Sequence, residues 1–561
     1  MSKIIKGMVI FISIQILHAQ FQTPYTGDRF QSFRFLSTSY VFEDDLEYIL
    51  NPATIPWVKD RLLFTSLSNF ATSNDALFGN ISSGYFMLGT KLNFIGNLGI
   101  APLYDNYMVK TPEWNGIDTG YTEIETITHM DIDSNGTFDR RITEKEIREA
   151  YNEWNSNDIY IGAGKEMGTF KAGLFFLMST STFKEILPGS PADIFGNFEY
   201  NFELYDIENG KRLEIEKWKG VQDADYTKTR NVFGISLLYE PNEIMFINLI
   251  GGFGILSIDS LFSANTDYLL DYAPDDNINN YELGKAKLEI DLSNSGNIMF
   301  TRLYGKRKWE YGGETYFYLD LRRESISKKT GSKDSNIYYE RKTNLGAFDE
   351  IYTYDSKTHQ DIVNDGNSNS WMLGVRHIIP IFEKALFGIG FALNNKTGDR
   401  SFDIKENLTL NEKYDDGDGI PDGDDYTMQG TSSREYENLN SYSEWNIMIP
   451  CAVEISILKN LSLRLGANSY IKFKENQNTI NPLSSTPLIL TYVNGLGDTT
   501  TIYDTTLVDQ GGTYLKKTKE TNTSYSFGIG WNISKNFTLD FMGFTDLVNL
   551  TNWRLSLKIK F

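Results

Sequence analysis

The sequence predicts an all-β protein: a transmembrane antiparallel β-barrel of about fourteen strands, with sixteen as the alternative. Three observations predict it. Short segments alternate apolar and polar residues with a period of two, and the chain ends on one of them. The connections between those segments alternate short and long. Finally, a short apolar leader precedes everything else.

The leader occupies residues 1–19. Lys3 and Lys6 form a positive start, Met8–Leu17 is an apolar run, and Leu17-His18-Ala19 offers a cleavage site before Gln20. This pattern is a secretory signal peptide, and it is too short to span a bilayer as a helix. Leu17 is larger than the small residue usual at that position. No cysteine follows the cut, so no lipid anchor is expected. Cleavage removes two positive charges and takes the formal net charge from −21 to −23.

Composition narrows the class. The chain has 561 residues with 36 Phe, 33 Tyr and 46 Gly but 14 Pro and 1 Cys, spread evenly enough for one large β domain. No later segment reaches the roughly 18 apolar residues of a helical span. The acidic balance argues against nucleic acid as a partner and suits a surface that holds divalent cations. The lone Cys451 sits among Ile447, Ile449, Val453 and Ile455 and is expected to pack as a small apolar residue.

Residues 20–60 do not read as strand. Glu43-Asp44-Asp45-Leu46-Glu47-Tyr48 cannot face lipid, but it can fill a water-lined lumen. Asn51-Pro52-Ala53 follows, with Pro52 and Pro56 opposing any continuing helix or ladder, so an ordered turn is expected there. A disordered periplasmic leader is the alternative reading.

The barrel is expected over 61–561. Candidate strands are 61–69, 83–94, 97–104, 157–165, 169–179, 230–240, 244–257, 369–379, 386–395, 443–457, 461–474, 523–533, 536–546 and 550–561. Charges such as Glu454 and Arg464 fall on the lumen face, because a charge on the lipid face at mid-membrane costs about 2–4 kcal/mol. Short turns at Gly96, 166–168, 241–243, 381–385, 458–460 and 534–535 alternate with the connection 70–82 and with long loops at 105–156, 180–229, 258–368, 396–442 and 475–522. Barrels of bacterial outer membranes have short periplasmic turns and long extracellular loops, whereas a sandwich has no reason to alternate. Both termini are then periplasmic. The loop 258–368 contains its own alternation at Thr315, Phe317, Leu319 and Leu321, which is the source of the sixteen-strand alternative.

The final strand has Trp553, Leu555, Leu557, Ile559 and Phe561 on one face and Arg554, Ser556, Lys558 and Lys560 on the other. It is expected to close the ring against the first strand. The terminal Phe561 resembles the signal read by the barrel-assembly machinery.

Asn51-Pro52-Ala53, placed before the first of about fourteen strands, resembles the long-chain fatty-acid transporter (FadL) superfamily, including its PorV-like relatives in type IX secretion. The Gly-Leu usual after that tripeptide is replaced by Thr54-Ile55. The resemblance implies a lumen hatch, or plug, and transport of hydrophobic small molecules through a break in the third strand. Gly99 and Pro102 are the residues that would weaken that strand here. Pro102 ending the strand near the rim is the plainer alternative. The PorV-like branch implies instead a secreted protein as partner.

Two acidic motifs point to Ca²⁺. Asp131, Asp133, Asn135 and Asp139 fall on positions 1, 3, 5 and 9 of a Ca²⁺ loop, with Gly136 at the turn and Thr137 offering its carbonyl. Position 12 is Ile142 where an acid is expected; Glu144 and Glu146 are the candidate substitutes. The second motif, Asp415–Asp425, resembles a thrombospondin type 3 repeat, with Asp416, Asp418, Asp422 and Asp425 as ligands and Ile420 giving its carbonyl. Asp415 can stand in for Tyr414 at its first position. Unoccupied acidic turns are the alternative. No Gly-x-Ser-x-Gly stretch, P-loop or dinucleotide fingerprint occurs, and His129, His359 and His377 have no nucleophile in a recognisable motif. The chain is therefore not expected to be an enzyme.

Overall fold

The computed structural model describes residues 33–68, 82–94, 97–112, 121–186, 197–272, 274–275, 280–344, 349–504, 511–544 and 553–561. The leader 1–19, residues 20–32, the connection 70–81 and the expected turn at Gly96 lie outside them. Two helices, α1 (Phe33–Ser37) and α2 (Asp45–Leu50), and a 3-10 turn over Pro52–Trp57 precede the strands. In chain order the strands are β1 (Leu62–Ser68), β2 (Ser82–Phe94), β3 (Leu98–Pro112), β4 (Tyr121–Met130), β5 (Arg140–Glu149), β6 (Tyr151–Met167), β7 (Phe170–Ile186), β8 (Asn197–Asp206), β9 (Arg212–Asn242), β10 (Met245–Asp271), β11 (Tyr281–Asp291), β12 (Asn294–Lys308), β13 (Glu314–Asn344), β14 (Asp349–Phe382), β15 (Ala385–Asp415), β16 (Tyr426–Leu458), β17 (Leu461–Ser485), β18 (Leu488–Asn494), β19 (Thr499–Asp504), β20 (Gly512–Ser534), β21 (Phe537–Phe544) and β22 (Trp553–Lys560).

Sixteen of these form one closed antiparallel ring, in the order β1, β2, β3, β6, β7, β9, β10, β12, β13, β14, β15, β16, β17, β20, β21, β22. The terminal strand closes it: β22 pairs with β1 from Leu62↔Lys560 to Ser68↔Arg554. The Phe561 amide also donates to the Arg61 carbonyl at 3.1 Å. Among the described residues the ring leaves no strand without two neighbours, which is what a bilayer demands of strands.

All fourteen expected strands are present, and the count of fourteen is corrected to the sixteen-strand alternative. The missing pair is β12 and β13, joined by a short turn at 309–313 inside the stretch read as the loop 258–368. β12 hid because its outward set includes Asn297, Thr301, Gly305 and Arg307, which blurs the period of two. The expected long loops are largely strand. β13 to β16 run to 31, 34, 31 and 33 residues. At roughly 3.3 Å per residue β14 is about 110 Å long, several times a bilayer crossing. Beyond the crossing, β8, β5 and β4 add successively to β9, while β18 and β19 add to β16. The wall at this long-strand end is therefore tall on one side, bounded by β4 and β19.

The outer face carries a belt of exposed apolar side chains. On β9 it shows Phe233, Ile235, Leu237 and Tyr239; on β10, Met245, Ile247, Leu249, Phe253 and Ile255. The β10 run covers about 25 Å of height once strand tilt is included, the thickness of a barrel's lipid band. Inward neighbours such as Val232, Ile250 and Phe300 are buried. Cys451, expected as a packing residue, is half-buried among the outward apolar residues of β16.

Far above the belt, His359 on β14 lies with Nδ1 2.7 Å from Asp334 and Nε2 3.3 Å from Asp361. The hydrogen bond with Asp334, more than that with Asp361, raises its pKa above the ordinary 6.5 despite slight desolvation. A raised pKa means this contact contributes fully below that value and is lost as pH rises through the folded one. Titration of His359 by NMR should give a midpoint above 6.5, and Asp334→Asn should return it toward 6.5. At mid-belt, Leu249→Arg should destabilise the folded barrel by about 2–4 kcal/mol in urea titrations from liposomes. Substitutions at exposed Glu310 should leave the midpoint unchanged.

Candidate functional site: a lumen segment and the chamber beside it

Residues 33–60 lie inside the ring. α2 starts there for local reasons: Asp44 accepts the Leu46 amide at 2.9 Å, and Glu47 accepts the Asp44 amide at 2.9 Å, a capping box. It stops at Asn51 because Pro52 has no amide hydrogen, and a 3-10 turn continues instead. The Thr54 hydroxyl pins that turn to the Asn51 carbonyl at 3.0 Å.

The wall makes room for this segment with glycines. A Cβ at Gly164 or Gly173, which are cross-strand partners on β6 and β7, would collide with Pro52. The same holds for Gly99 against Ile55, Gly388 against Val41, Gly466 against Ser39 and Gly528 against Ser37. Wall glycines of β15 and β20 are thus used as small residues that admit an inner segment.

Charges then fix it to one arc of the ring. Arg34 makes a bidentate pair with Glu454 at 2.9 and 3.0 Å; Arg464 reaches the same carboxylate at 2.9 Å and Asp540 at 2.6 Å. Two strands away, Glu43 pairs with Arg376 of β14 and accepts the Tyr304 hydroxyl of β12 at 2.8 Å. The Arg376 guanidinium also donates to the Tyr40 carbonyl at 3.1 Å and lies 4.4 Å from the Tyr316 ring centroid. Asp45 pairs with Lys558 at 3.0 Å. Buried pairs of this kind are costly to break singly, because the survivor is left uncompensated.

The sequence-predicted residues fall as follows. Asn51, Pro52 and Ala53 are buried in the ring. Asn51 makes no side-chain cap; its Oδ1 accepts the Ser236 hydroxyl at 2.9 Å. The Tyr160 hydroxyl donates to the Leu50 carbonyl at 3.0 Å. Gly99 and Pro102 lie on β3, which is continuous with β6 from Leu98 to Pro112. Against β2 the ladder stops at Gly89↔Leu103 and resumes at Leu92↔Ile100 in the same register. Pro102 cannot donate, and the buried Lys91 of the unpaired stretch turns its ammonium to the Val58 carbonyl. Glu454 and Arg464 were legible as lumen charges, but not as partners of each other or of Arg34. Arg376 and Tyr304 carried no distinguishing signal in the sequence.

A chamber of about 680 Å³ opens beside the segment toward the long-strand end. Phe35, Tyr40, Tyr48, Leu50 and Thr54 of the segment form part of its lining, and Ile250, Phe300, Tyr304 and Tyr318 of the wall continue it. Arg302, Asp320, Arg322 and Lys396 supply charge. Arg302 is paired with Asp320 at 3.0 Å.

The acidic motifs are tip turns of the tall wall. Asp131, Asp133 and Asp139 converge between β4 and β5, with Gly136 at φ +89° and its amide 2.8 Å from Asp131. Asn135 accepts the Thr137 amide at 2.7 Å. Glu144 and Glu146 sit in the β5 ladder opposite Thr126 and Ile124 and are not in that cluster. Between β15 and β16, Asp415, Asp416 and Asp425 converge, as do Asp416, Asp418 and Asp422. Asp418 accepts the Ile420 amide at 2.7 Å.

No family model and no curated protein matches the chain. Solved structures do. The TodX ΔS2S3 mutant, a monoaromatic hydrocarbon channel, is 11% identical with a TM-score of 0.35, covering 93% of this chain and 95% of that one. The toluene transporter TbuX of Ralstonia pickettii is 9% identical at a TM-score of 0.30, covering 95% and 99%. A single-residue mutant of the ferric enterobactin receptor PfeA from Pseudomonas aeruginosa is 8% identical at 0.28, covering 89% and 80%. Likenesses of this size carry no argument about the site.

Glu43→Gln should leave Arg376 without its carboxylate and loosen the segment without opening the ring. Hydrogen exchange of the amides over 34–50 should speed up by tenfold or more, about the loss of one charged hydrogen bond. The ladder amides of β14 should keep their protection.

Proposed function

We propose that this chain is an outer-membrane channel or transporter for hydrophobic small molecules, with residues 20–60 as its plug. The observation that carries the reading is the chamber of about 680 Å³ whose apolar and aromatic lining is shared between the segment 33–60 and the wall. Small-molecule sites combine an apolar lining with convergent polar groups, and here charged side chains including Glu43, Arg302, Asp320 and Arg376 share the lining. In this reading the leader 1–19 is removed on export and Phe561 addresses the chain to the barrel-assembly machinery. The short turns and both termini face the periplasm. The exit through the wall is assigned to the unpaired stretch Thr90–Lys91 opposite Ala101–Pro102, two residues from Gly99.

A second reading is favoured by the tall wall with its edge strands β4 and β19: a PorV-like component that holds a secreted protein at the cell surface. Exposed edges are templates for strand addition. The two readings separate on purified protein. Organic extraction followed by mass spectrometry should recover an apolar ligand from the native barrel, and Ala392→Trp, which fills the chamber, should reduce it about tenfold. Recovery of no such ligand, or a wide ohmic conductance in planar bilayers, would sink the transporter reading.

We also propose that the tip turns at Asp131–Asp139 and Asp415–Asp425 hold structural Ca²⁺, with flexible oxygen-rich loops favouring it over Mg²⁺. Terbium luminescence should report binding that Ca²⁺ displaces and that Asp418→Asn weakens. Chelation should speed proteolysis at these tips while the barrel itself stays folded.

A further inference from the structure

The outer wall carries a second cavity, of about 830 Å³, on the face opposite the chamber. Its shape follows from three rows of side chains running across β10, β12, β13, β14 and β15. The lowest row is all leucine: Leu249, Leu303, Leu319, Leu373 and Leu393 are successive cross-strand partners. The next is Gly251, Thr301, Leu321, Trp371 and Asn395; the third is Phe253, Met299, Arg323, Asn369 and Thr397. Composition changes from apolar to polar over these rows, so they mark the upper edge of the lipid belt.

Gly251 and Thr301 leave a dip between the leucine row and the Phe253–Met299 ridge. A Cβ at Gly251 would meet nothing nearer than the Phe300 carbonyl oxygen at 3.8 Å, so the dip is open space. Trp371 bounds it on the far side, held edge-to-face against Trp445 at 5.5 Å. Arg323 stands exposed on the upper lip, without an ion pair among the described residues. A guanidinium at a membrane boundary is matched to phosphate by its fork of donors.

We propose that this groove seats one phosphorylated lipid of the leaflet facing the long-strand end, with an acyl chain along Gly251–Thr301 and its phosphate on Arg323. The occupant follows from position: the groove opens onto the lipid belt, so acyl chains are its solvent, and the one charge on its lip is positive. The inference rests on the membrane placement of the belt and not on what the chamber carries.

Native mass spectrometry of the full barrel released from detergent tests it, with diphosphorylated lipid A as the probe and phosphatidylcholine as the comparator. The wild type should retain one lipid A per barrel in preference to phosphatidylcholine. Arg323→Gln should lower that retention about tenfold, the loss of a charge-assisted contact. Gly251→Leu should lower retention by filling the dip, with Arg323 still in place. Equal retention by wild type and Arg323→Gln, or no preference between the two lipids, would overturn the site. Arg323 is exposed, so that variant should keep the heat-modifiable gel shift of a folded barrel. Loss of lipid A binding with the chamber ligand retained would separate this site from the transport reading.

Discussion

Everything in this structure depends on one constraint: within a bilayer, every backbone N–H and C=O must be paired by protein. Strands meet it only as a closed ring, and here closure falls to the last strand. β22 pairs on one side with β21 and on the other with β1. The sixteen strands cannot be satisfied until β22 is in place, which gives its alternation its weight. The six strands outside the ring, β4, β5, β8, β11, β18 and β19, occur only beyond the belt, where water satisfies the open edges of β4 and β19.

Closure creates a second problem, a lumen that must be filled or left wet. The period of two points half of every strand inward, and where the segment 33–60 approaches, those positions are small, charged or part of an apolar core in which Ile49, Leu50 and Ile55 meet Phe64, Tyr160 and Phe175. Glycine lets backbone meet backbone, as at Gly164 and Gly173 against Pro52. Arg376 of the wall then holds the segment's Glu43, while the segment's Arg34 reaches Glu454 of the wall, and because each carboxylate accepts from several donors, the cost of removing it from water is offset. An apolar filling would pack as well, but it would specify position less: these two pairs define two points, on β14 and β16, at which the segment is held.

Fold was legible where physics acts locally. Alternation, short turns and the apolar outer faces of β9, β10 and β16 can be read from a single window of sequence. The pair β12–β13 was legible only in part: β13 alternates from Thr315 to Leu321, but on β12 Arg302 and Tyr304 face inward while Thr301 faces lipid and Gly305 is covered by Phe317, so β12 shows no clean stripe. The long loops misled for a related reason. Beyond the belt both faces of a strand meet water, so β14 above Asn369 alternates too weakly to distinguish strand from loop. The site was least legible. Glu454 and Arg464 were placed on the lumen face by the cost of a charge in lipid, yet their partner Arg34 lies 420 residues from Glu454. Glu43 and Arg376 are likewise brought together only by ring closure.

The same alternation explains how one patch of wall serves two solvents. By strand parity Phe300 and Arg322 face inward, and Thr301 and Leu321 face the lipid. A one-residue slip of β12 or β13 would exchange every one of these, placing Arg302 and Arg322 in the bilayer at a cost of about 2–4 kcal/mol each at mid-membrane, falling toward the interfaces. That penalty, more than any apolar contact, sets the register. It explains why β12, with its broken apolar stripe, still has a single way to pair. Chamber and outer groove are therefore coupled in sequence although the wall between them has no gap: a substitution that shifts register for one destroys both, whereas a side-chain change at Phe300 or at Gly251 touches one alone.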